Sequence, residues 1–365
     1  MSVECERVGG MNLAQGICDT DLPPLVAEAA KQAIDAGHNI YTRADGITEL
    51  RRSVAAKLAA YNGIQADAEK NVLVTSGATG ALYATGLALL NPGDEVILFE
   101  PVYGYHASTM QALRVKAVMV PLEPPTWRLD MEQLRRAITP RTRAIVVNTP
   151  SNPAGKVFTR TELEAIAGIA IDHDLFVFTD EIYEYFLYDG RKHLSLATLP
   201  GMAERTITIS GLSKTFSITG WRIGYLAASE QWTPSIRYFH DLTYVCAPGP
   251  LQYGCAAGLV GLPTSFYTEM AAEYEQKRDA LCAALRDAGM PPSVPGGAYY
   301  VLADASRVPG ANAAERARNL LKATGVAAVA GSAFYNDGGG ENLLRFCFGK
   351  TPETLERACA ALRAF

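Results

Sequence analysis

Features that mark several large classes of protein are missing from this sequence. The seven cysteines include no C-x-x-C pair, so neither a disulfide framework nor a zinc knuckle is indicated. No apolar run is long enough to cross a bilayer, and the N-terminal residues lack the apolar core of a secretory signal. The net charge of −5 gives no general attraction to nucleic acid or anionic membranes. We therefore expect a soluble cytoplasmic protein with no metal site, no nucleic-acid partner and no membrane partner.

The sequence does contain an alternation of short apolar runs with amphipathic helical segments. Hydrophobic residues make up 48% of the chain and charged residues 19%, an ordinary balance for a globular protein. Six runs are predicted as strands, at residues 72–75, 95–99, 115–120, 144–147, 175–179 and 206–209. This alternation predicts an α/β fold with a mostly parallel central sheet covered by helices. Polar residues follow several of these strands, at the positions where ligands gather in open α/β sheets.

The pattern changes after about residue 265. A charged helical segment at 266–288 precedes Pro291-Pro292, and short strands are predicted at 299–302 and 343–348. Because 365 residues are many for one hydrophobic core, we predict two domains. The large domain covers residues 38–264, and a smaller α+β domain combines residues 1–37 with residues 265–365.

The most informative segment is S-G-L-S-K-T-F at residues 210–216, followed by T-G-W-R-I-G at 219–224. Taken alone, Lys214 after a strand end fits an ordinary solvated lysine. Arg222 changes this interpretation, because a guanidinium eight residues later can bind a dianionic phosphate beside a lysine that holds the same cofactor. The pair therefore indicates a lysine that forms a Schiff base with a phosphorylated cofactor.

These segments resemble the lysine segment of class I/II aminotransferases, which are fold-type I enzymes that depend on pyridoxal 5′-phosphate (PLP). The resemblance runs in order from about Leu13 to Phe348. It implies the three-layer αβα fold of the PLP transferases, with the predicted sheet in the large domain. It also implies that Lys214 is catalytic and carries PLP as an internal Schiff base (aldimine), with Arg222 on the phosphate.

The segment D-E-I-Y at residues 180–183 directly follows a predicted strand. An aspartate at a strand end often serves only as a cap or turn residue. In the family this aspartate lies against the pyridine nitrogen, where a carboxylate keeps the ring protonated as an electron sink. The family tyrosine three residues later donates a hydrogen bond to the ring O3′. The resemblance thus implies catalytic and cofactor-binding roles for Asp180 and Tyr183.

The segment N-T-P-S-N-P-A-G at residues 148–155 reads as a turn-rich loop on composition. It is similar to the family pattern N-x-P-x-N-P-[TS]-G, although Ala154 replaces the usual Thr or Ser. The resemblance implies that Asn152 donates a hydrogen bond to O3′ beside Tyr183 and lines the substrate site. Donors to this oxygen stabilise its deprotonated form.

The segment T-S-G-A-T-G at residues 75–80 joins a strand to a helix and so forms an anion site. In the family this turn binds the PLP phosphate through the residues that match Ala78 and Thr79. The segment also approaches the dinucleotide pattern G-x-G-x-x-G, with Glu100 about 20 residues on. Against that alternative, Thr75 replaces the first glycine, and a nicotinamide-dependent oxidoreductase would leave the lysine segment unexplained.

Two tyrosines match aromatic positions of the family. Tyr103, in E-P-V-Y-G-Y at residues 100–105, matches the aromatic residue that stacks on the PLP ring, although a plain core aromatic also fits. Tyr41, in Y-T-R-A-D-G at residues 41–46, matches the tyrosine that reaches the phosphate of the neighbouring subunit. The second match implies a homodimer with shared active sites.

Two further matches concern the substrate. Arg345 lies in the apolar segment L-R-F-C-F and needs an anionic partner if it is buried, either a structural carboxylate or a ligand. The resemblance implies that it binds the substrate α-carboxylate, and that Gly16 of L-A-Q-G lines the substrate pocket. The chain departs from the family at Gly211, where a serine is common, so Ser210 or Ser213 is a candidate replacement contact to phosphate.

The resemblance implies a PLP-dependent aminotransferase that moves the amino group of an L-α-amino acid to a 2-oxo acid by a ping-pong mechanism through Lys214. A PLP-dependent lyase or synthase acting by β-elimination or related chemistry would share every motif and stays an alternative. The sequence assigns no second cation to the side-chain pocket. Arg43 and Arg128 have polar neighbourhoods, but surface positions explain both better.

Overall fold

The computed structural model describes residues 1–365. Its α-helices are α1 (Ser2–Arg7), α2 (Pro24–Asp35), α3 (Thr48–Lys57), α4 (Gly77–Leu89), α5 (Gly104–Ala112), α6 (Met131–Ala137), α7 (Arg160–Asp172), α8 (Thr233–Tyr244), α9 (Gly249–Gly261), α10 (Thr264–Asp287), α11 (Ala313–Thr324) and α12 (Pro352–Arg363). A turn of π-helix, Leu58–Asn62, continues α3. None of these helices combines the length and the apolar character that a membrane span requires.

The strands are β1 (Met11–Asn12), β2 (Val72–Ser76), β3 (Glu95–Glu100), β4 (Lys116–Glu123), β5 (Arg128–Leu129), β6 (Thr142–Asn148), β7 (Phe176–Asp180), β8 (Thr206–Gly211), β9 (Ile223–Ala227), β10 (Pro292–Ser293), β11 (Tyr300–Asp304), β12 (Val326–Ala327), β13 (Val329–Ala330) and β14 (Leu343–Cys347). All six strands predicted in the first part of the chain are present within a few residues. Strand β9 was not predicted, because its first residues belong to the segment interpreted as part of the lysine motif.

The central sheet has eight strands in the order β2-β9-β8-β7-β6-β3-β4-β5. Strands β4, β3, β6, β7 and β8 pair in parallel, whereas β9 runs antiparallel between β8 and β2. Most residues of these strands are buried, as expected when a parallel sheet is covered on both faces. The predicted mostly parallel sheet is therefore confirmed, with one antiparallel strand inserted.

Helices cover both faces of this sheet. The apolar residues of α4, α5 and α8 pack on the face that carries Leu98 and Ile207. On the opposite face, α6 and α7 pack against Ile145 and Val177, and α3 and α9 pack against Val74. The three-layer αβα arrangement predicted from the family resemblance is confirmed.

A second, antiparallel sheet has the order β10-β11-β14-β13 and packs with α10, α11 and α12 around its own core. The N-terminal strand β1 pairs in parallel with β12, so the start of the chain joins the C-terminal residues. We propose on this basis that residues 1–37 and 265–365 form the smaller domain and residues 38–264 the larger one.

Several strands of the central sheet end at the same edge. The strands β2, β6, β7 and β8 end there at four polar or small residues, namely Ser76, Asn148, Asp180 and Gly211. Because β9 is antiparallel, it begins at this same edge, with Ile223 opposite Ser76. The inserted antiparallel strand therefore places the residue before it, Arg222, beside the start of α4.

Candidate active site

A cavity of about 350 Å³ opens at this edge of the central sheet. Eight of the residues predicted from the sequence line it: Ala78, Thr79, Tyr103, Asn152, Asp180, Tyr183, Lys214 and Arg222. They come from five separate segments of the chain. The convergence follows from the topology, because the strand ends and the loops after them meet at one edge.

Lys214 lines the cavity and contacts the N-terminal segment at Gly16. Its Nζ donates a hydrogen bond to the carbonyl oxygen of Gly16 at 3.2 Å. The ammonium lies 5.9 Å from the ring centre of Tyr183 and 5.8 Å from that of Tyr299. Burial lowers the pKa of Lys214 below its ordinary value. The amine is thus positioned for nucleophilic and base chemistry rather than for solvation.

The start of α4 and Arg222 form a cradle for an anion. No side chain caps α4, so its first N–H groups remain available to a ligand. Gly77 has φ +72°, and a Cβ there would overlap the guanidinium of Arg222, so only glycine permits this approach. Thr79 and Ser213 also line the cavity here. The donors suit a phosphate dianion.

The two serines considered as replacement phosphate contacts lie in different surroundings. Ser213 lines the cavity, whereas Ser210 is buried and donates a hydrogen bond to Glu184 Oε1 at 2.9 Å. A Cβ at Gly211 would lie 3.0 Å from Gly224 Cα, because β8 and β9 pair there through two glycines. This close pairing explains why the chain has glycine where a serine is common.

Asp180 ends β7 with its carboxylate turned into the cavity. His106, on α5, contacts Asp180 Oδ2 through Nε2 at 2.9 Å, and the backbone N–H of Ile182 donates to Oδ1 at 3.2 Å. Both side chains are largely buried, with exposures of 13% for Asp180 and 6% for His106. The pair fixes a carboxylate in the cavity wall, which suits a protonated ring nitrogen.

Tyr183 is buried on the same wall. Its hydroxyl lies 3.0 Å from that of Tyr300, and Tyr300 donates in turn to the Gly16 carbonyl at 3.4 Å. Burial raises the pKa of Tyr183 well above its ordinary value, so the phenol keeps its proton and acts as a donor. A Cβ on Gly16 would overlap the Tyr300 hydroxyl, so this position also requires glycine.

Asn152 lines the cavity and contacts Arg345, whereas Arg345 itself is not among the residues that line the cavity. Arg345 Nη1 donates to Asn152 Oδ1 at 3.0 Å, and Nη2 donates to the Ala14 carbonyl. The guanidinium carbon lies 4.5 Å from the ring centre of Tyr300 and 5.1 Å from that of Phe334. Arg345 Nε is buried without a hydrogen-bond partner, and the acceptors of its other nitrogens, an amide oxygen and a backbone carbonyl, are neutral. The cation therefore has capacity left for an anionic ligand.

The remaining predicted residues differ in position. Tyr103 lines the cavity, stacks on Tyr105 at 5.3 Å, and has its pKa raised to about 12 by burial. Tyr41 does not reach the cavity of its own chain, and 80% of its surface is exposed.

Sequence reasoning missed His106 and Tyr300. His106 follows Tyr103 by three residues and also lines the cavity, but a single histidine in a helix carries no distinctive signal. Tyr300 was included only as part of a predicted strand. The contacts that give both residues a role connect segments distant in sequence, so spacing alone does not show them.

The donor set of this cavity fits PLP. The α4 cradle and Arg222 suit the phosphate, Asp180 suits the ring nitrogen, and the hydroxyl of Tyr183 with the amide of Asn152 suits the phenolate oxygen. Lys214 supplies the amine for the aldehyde. The fold and this site together define a PLP-dependent enzyme of the aspartate aminotransferase type. The chain is similar to a solved structure of Thermus thermophilus aspartate aminotransferase, with a TM-score of 0.92, 33% identity, and coverage of 100% of this chain and 94% of that chain.

The chain belongs to the family of class I and II aminotransferases, whose model matches residues 8–362. It is similar to the solved structure of an N-succinyldiaminopimelate aminotransferase from Mycobacterium tuberculosis, with a TM-score of 0.96, 38% identity, and coverage of 100% of this chain and 95% of that one. An aromatic-amino-acid aminotransferase of Thermococcus litoralis is 38% identical over 353 residues, covering 96% of this chain and 90% of the relative. A methionine aminotransferase of Escherichia coli is 33% identical over 363 residues, covering 100% and 94%.

Proposed function

We propose that the chain transfers the amino group of an L-α-amino acid to a 2-oxo acid by a ping-pong mechanism in which Lys214 forms the Schiff base with PLP. The chain is a PLP-dependent aminotransferase by its family. The proposed residue roles are supported mainly by the convergence of Lys214, Asp180 and Arg222 in one cavity. Arg345 contacts Asn152, which lines the same cavity.

Bound PLP supplies an electron sink for the pair of electrons left at the substrate α-carbon. Asp180, fixed by His106, keeps a negative charge at the position proposed for the ring nitrogen. Lys214 Nζ removes the α-proton and delivers it again, a role favoured by the lowered pKa that burial gives this amine. Tyr183 and Asn152 hold the phenolate oxygen by hydrogen bonds.

Arg345 is proposed to bind the substrate α-carboxylate. Its stacking on Tyr300 and Phe334 fixes the plane of the guanidinium, and its unpartnered Nε gives it a free donor. A planar, prealigned guanidinium binds a carboxylate bidentately and so orients the α-carbon. Gly16, whose carbonyl accepts from Lys214, follows by two residues Ala14, whose carbonyl accepts from Arg345, and is proposed to line the same subsite.

The amino donor is proposed to have an uncharged side chain. The charged residues that line the cavity are Asp180, Lys214 and Arg222, and each has a proposed role toward the cofactor. The two arginines considered from the sequence are engaged elsewhere. Arg43 pairs with Asp45 and Glu69, and Arg128 pairs with Glu123 at the surface.

A homodimer with shared sites is proposed from exposed apolar side chains, one of which lines the cavity. Tyr105 lines the cavity and is 60% exposed, while Ile40 and Tyr41 are 83% and 80% exposed. Such side chains on a soluble protein mark an interface when they cluster. A partner covering this surface would bring its own Tyr41 toward the phosphate cradle. A cytoplasmic location remains a prediction.

The half-reaction of the PLP-loaded enzyme with single amino acids tests the function and the donor class together. The absorbance change of the bound cofactor gives a rate for each donor, and the 2-oxo acid product is identified by mass. We expect methionine or phenylalanine to exceed aspartate by about tenfold or more in kcat/KM. A faster reaction with aspartate would contradict the donor class, and release of ammonia from a β-substituted donor would favour the lyase alternative.

The shared site has its own test in hybrid dimers. One subunit carries Lys214→Ala and the other carries Tyr41→Ala, so that a hybrid contains one site with both wild-type residues. We expect mixed subunits to regain activity that neither variant has alone. Activity equal to the sum of the separate variants would contradict a site shared in this way.

A further inference from the structure

A cluster of buried charged residues lies behind the segment that carries Asp180 and Tyr183. Those two side chains line the cavity, whereas Glu181 and Glu184, which alternate with them in sequence, do not. Glu181 is 0% exposed and Glu184 is 2% exposed. The residues from Glu181 to Phe186 belong to neither a helix nor a strand. Two turn hydrogen bonds hold them, from the Glu184 N–H to the Glu181 carbonyl at 2.9 Å and from the Phe186 N–H to the Tyr183 carbonyl at 2.8 Å.

Glu184 is held by groups from three other segments. Lys57, at the end of α3, forms an ion pair with its Oε1, and Asn62 Nδ2 donates to Oε2 at 2.7 Å. Ser210 Oγ and Tyr225 OH donate to Oε1 at 2.9 Å and 3.2 Å. Burial opposes ionisation, but the charges of Lys57 and His193 outweigh it and hold the pKa of Glu184 below its ordinary value.

Glu181 is held in the same way on the other side of the cluster. His193 Nε2 lies 2.6 Å from its Oε2, and Ser195 Oγ donates to its Oε1 at 2.8 Å. Asn62 Nδ2 also reaches Oε2, at 3.3 Å, and so links the two carboxylates. The ring of Tyr61 lies parallel to that of His193, with centres 6.3 Å apart.

The charges of the cluster balance only if His193 carries a proton. Lys57 provides one positive charge against the two carboxylates, and an uncompensated charge in a dry interior is costly. Glu181, Glu184 and His193 also have the spacing of metal ligands, within 4.8 Å of one another. Lys57 already occupies the cation position at Glu184, however, and the carboxylate oxygens of both glutamates have protein partners.

Burial opposes protonation of His193, whose side chain is 2% exposed. The charges of Glu181 and Glu184 outweigh burial and the repulsion of Lys57, and they raise the pKa of His193 above its ordinary value. These three charged groups and Tyr61 are the titratable groups that face the imidazole. The geometry and the charge balance thus agree on an imidazolium.

We propose that the ion pairs Lys57–Glu184 and His193–Glu181 are positioning pairs for Asp180 and Tyr183, and that the second pair performs this role as a charged pair. The pairs act through the backbone of the segment they hold. Tyr61, whose ring lies 5.3 Å from Lys57 Nζ and parallel to the His193 ring, donates through its hydroxyl to the Glu184 carbonyl at 2.7 Å. The proposal rests on the roles proposed above for Asp180 and Tyr183.

The test compares His193→Gln, Glu181→Gln and the double variant, all as PLP-loaded enzymes. Each single variant leaves one buried charge unbalanced, while the double variant restores neutrality and keeps hydrogen-bonding groups of similar size. We expect kcat to fall about tenfold in each single variant, and the double variant to recover to within about threefold of wild type. KM for the amino donor should change less than about twofold, because the substrate subsite is untouched.

A spectroscopic titration gives a second readout. The pH at which the absorption band of the bound cofactor changes should shift in both single variants and return in the double variant, because that band reports the surroundings of the ring. His173→Gln is the matched control, since His173 is exposed and outside the cluster. The control should leave kcat and the titration unchanged.

Each outcome decides the proposal. Wild-type kcat and titration in the single variants would overturn it, as would a loss in the double variant equal to the product of the single losses. If a single variant fails to fold, folding of the double variant supports charge balance, and failure of all three to fold overturns it. A wild-type enzyme without transaminase activity, or an Asp180→Asn variant without loss, would instead contradict the proposed function.

Discussion

The two sides of the Asp180–Tyr183 segment use polar residues in opposite ways. On the cavity side, hydrogen-bonding capacity is left open: Arg345 Nε has no partner, and α4 begins without a side-chain cap. On the buried side, the carboxylates of Glu181 and Glu184 are held by several donors each. Buried polar groups without partners in the protein indicate a place where a ligand binds. Buried polar groups whose partners all come from the protein indicate a structural role.

Replacing Lys214 tests the cavity side most strongly. Lys214→Ala should lower kcat by about 10³-fold or more, because both the amine that binds the cofactor and the base are lost. The variant should fold at least as stably as wild type, since an ammonium in a desolvated position is removed. Steady-state rates and thermal unfolding measure the two effects.

The control for this variant is Lys192→Ala, which removes an exposed lysine. Transaminase activity retained in Lys214→Ala, or lost in the control, would contradict the assignment of the catalytic lysine.

Replacing Arg345 tests whether its unpartnered hydrogen-bond donor binds the substrate carboxylate. Arg345→Leu should raise KM for the amino donor by about 10²-fold, because a bidentate pair with a carboxylate is lost. Binding of PLP, followed by its absorbance, should change little. Arg128→Leu removes a surface arginine and serves as the control. An unchanged KM in Arg345→Leu would show that the arginine is structural.

Replacing Lys57 tests the buried side. Lys57→Met should cost about 3–5 kcal/mol in the free energy of unfolding, because it leaves Glu184 buried without its cation. Chemical unfolding of the protein without PLP measures this loss. The matched variant Lys70→Met breaks an exposed pair with Glu230 and should have little effect. Equal losses of unfolding free energy in Lys57→Met and Lys70→Met would show that the buried ion pair contributes no more to stability than an exposed one.

The smallest expected effect is a pH dependence of stability. The folded state raises the pKa of His193, so its stabilisation is complete below the ordinary histidine pKa and is lost as pH rises through the raised value. The free energy of unfolding of the apoprotein should therefore decline over that range. The decline should be weaker in His193→Gln than in wild type or in His173→Gln, and equal slopes would contradict a charged His193.

Most residues that line the cavity were predicted from the sequence, whereas the buried cluster around Glu181 and Glu184 was not. Lys214, Asp180, Asn152 and Arg222 stand in short motifs, and each comes to the cavity because a strand ends beside it. Glu181 and Glu184 carry no signal of their own beside Asp180 and Tyr183 in the sequence. Their partners lie 12 to 127 residues away, and apart from Ser210, which begins the lysine segment, they belong to no recognised motif.

The sequence by itself determined the alternation of strands and helices, the family, and the cofactor, because periodicity and motif spacing are local properties of a chain. Only the tertiary structure decided that β9 enters the sheet antiparallel, and so brings Arg222 to Gly77. It also decided that His106 faces Asp180 and that His193 faces Glu181. These contacts depend on which strands are neighbours and on which charges are buried together, and no spacing along the chain encodes either.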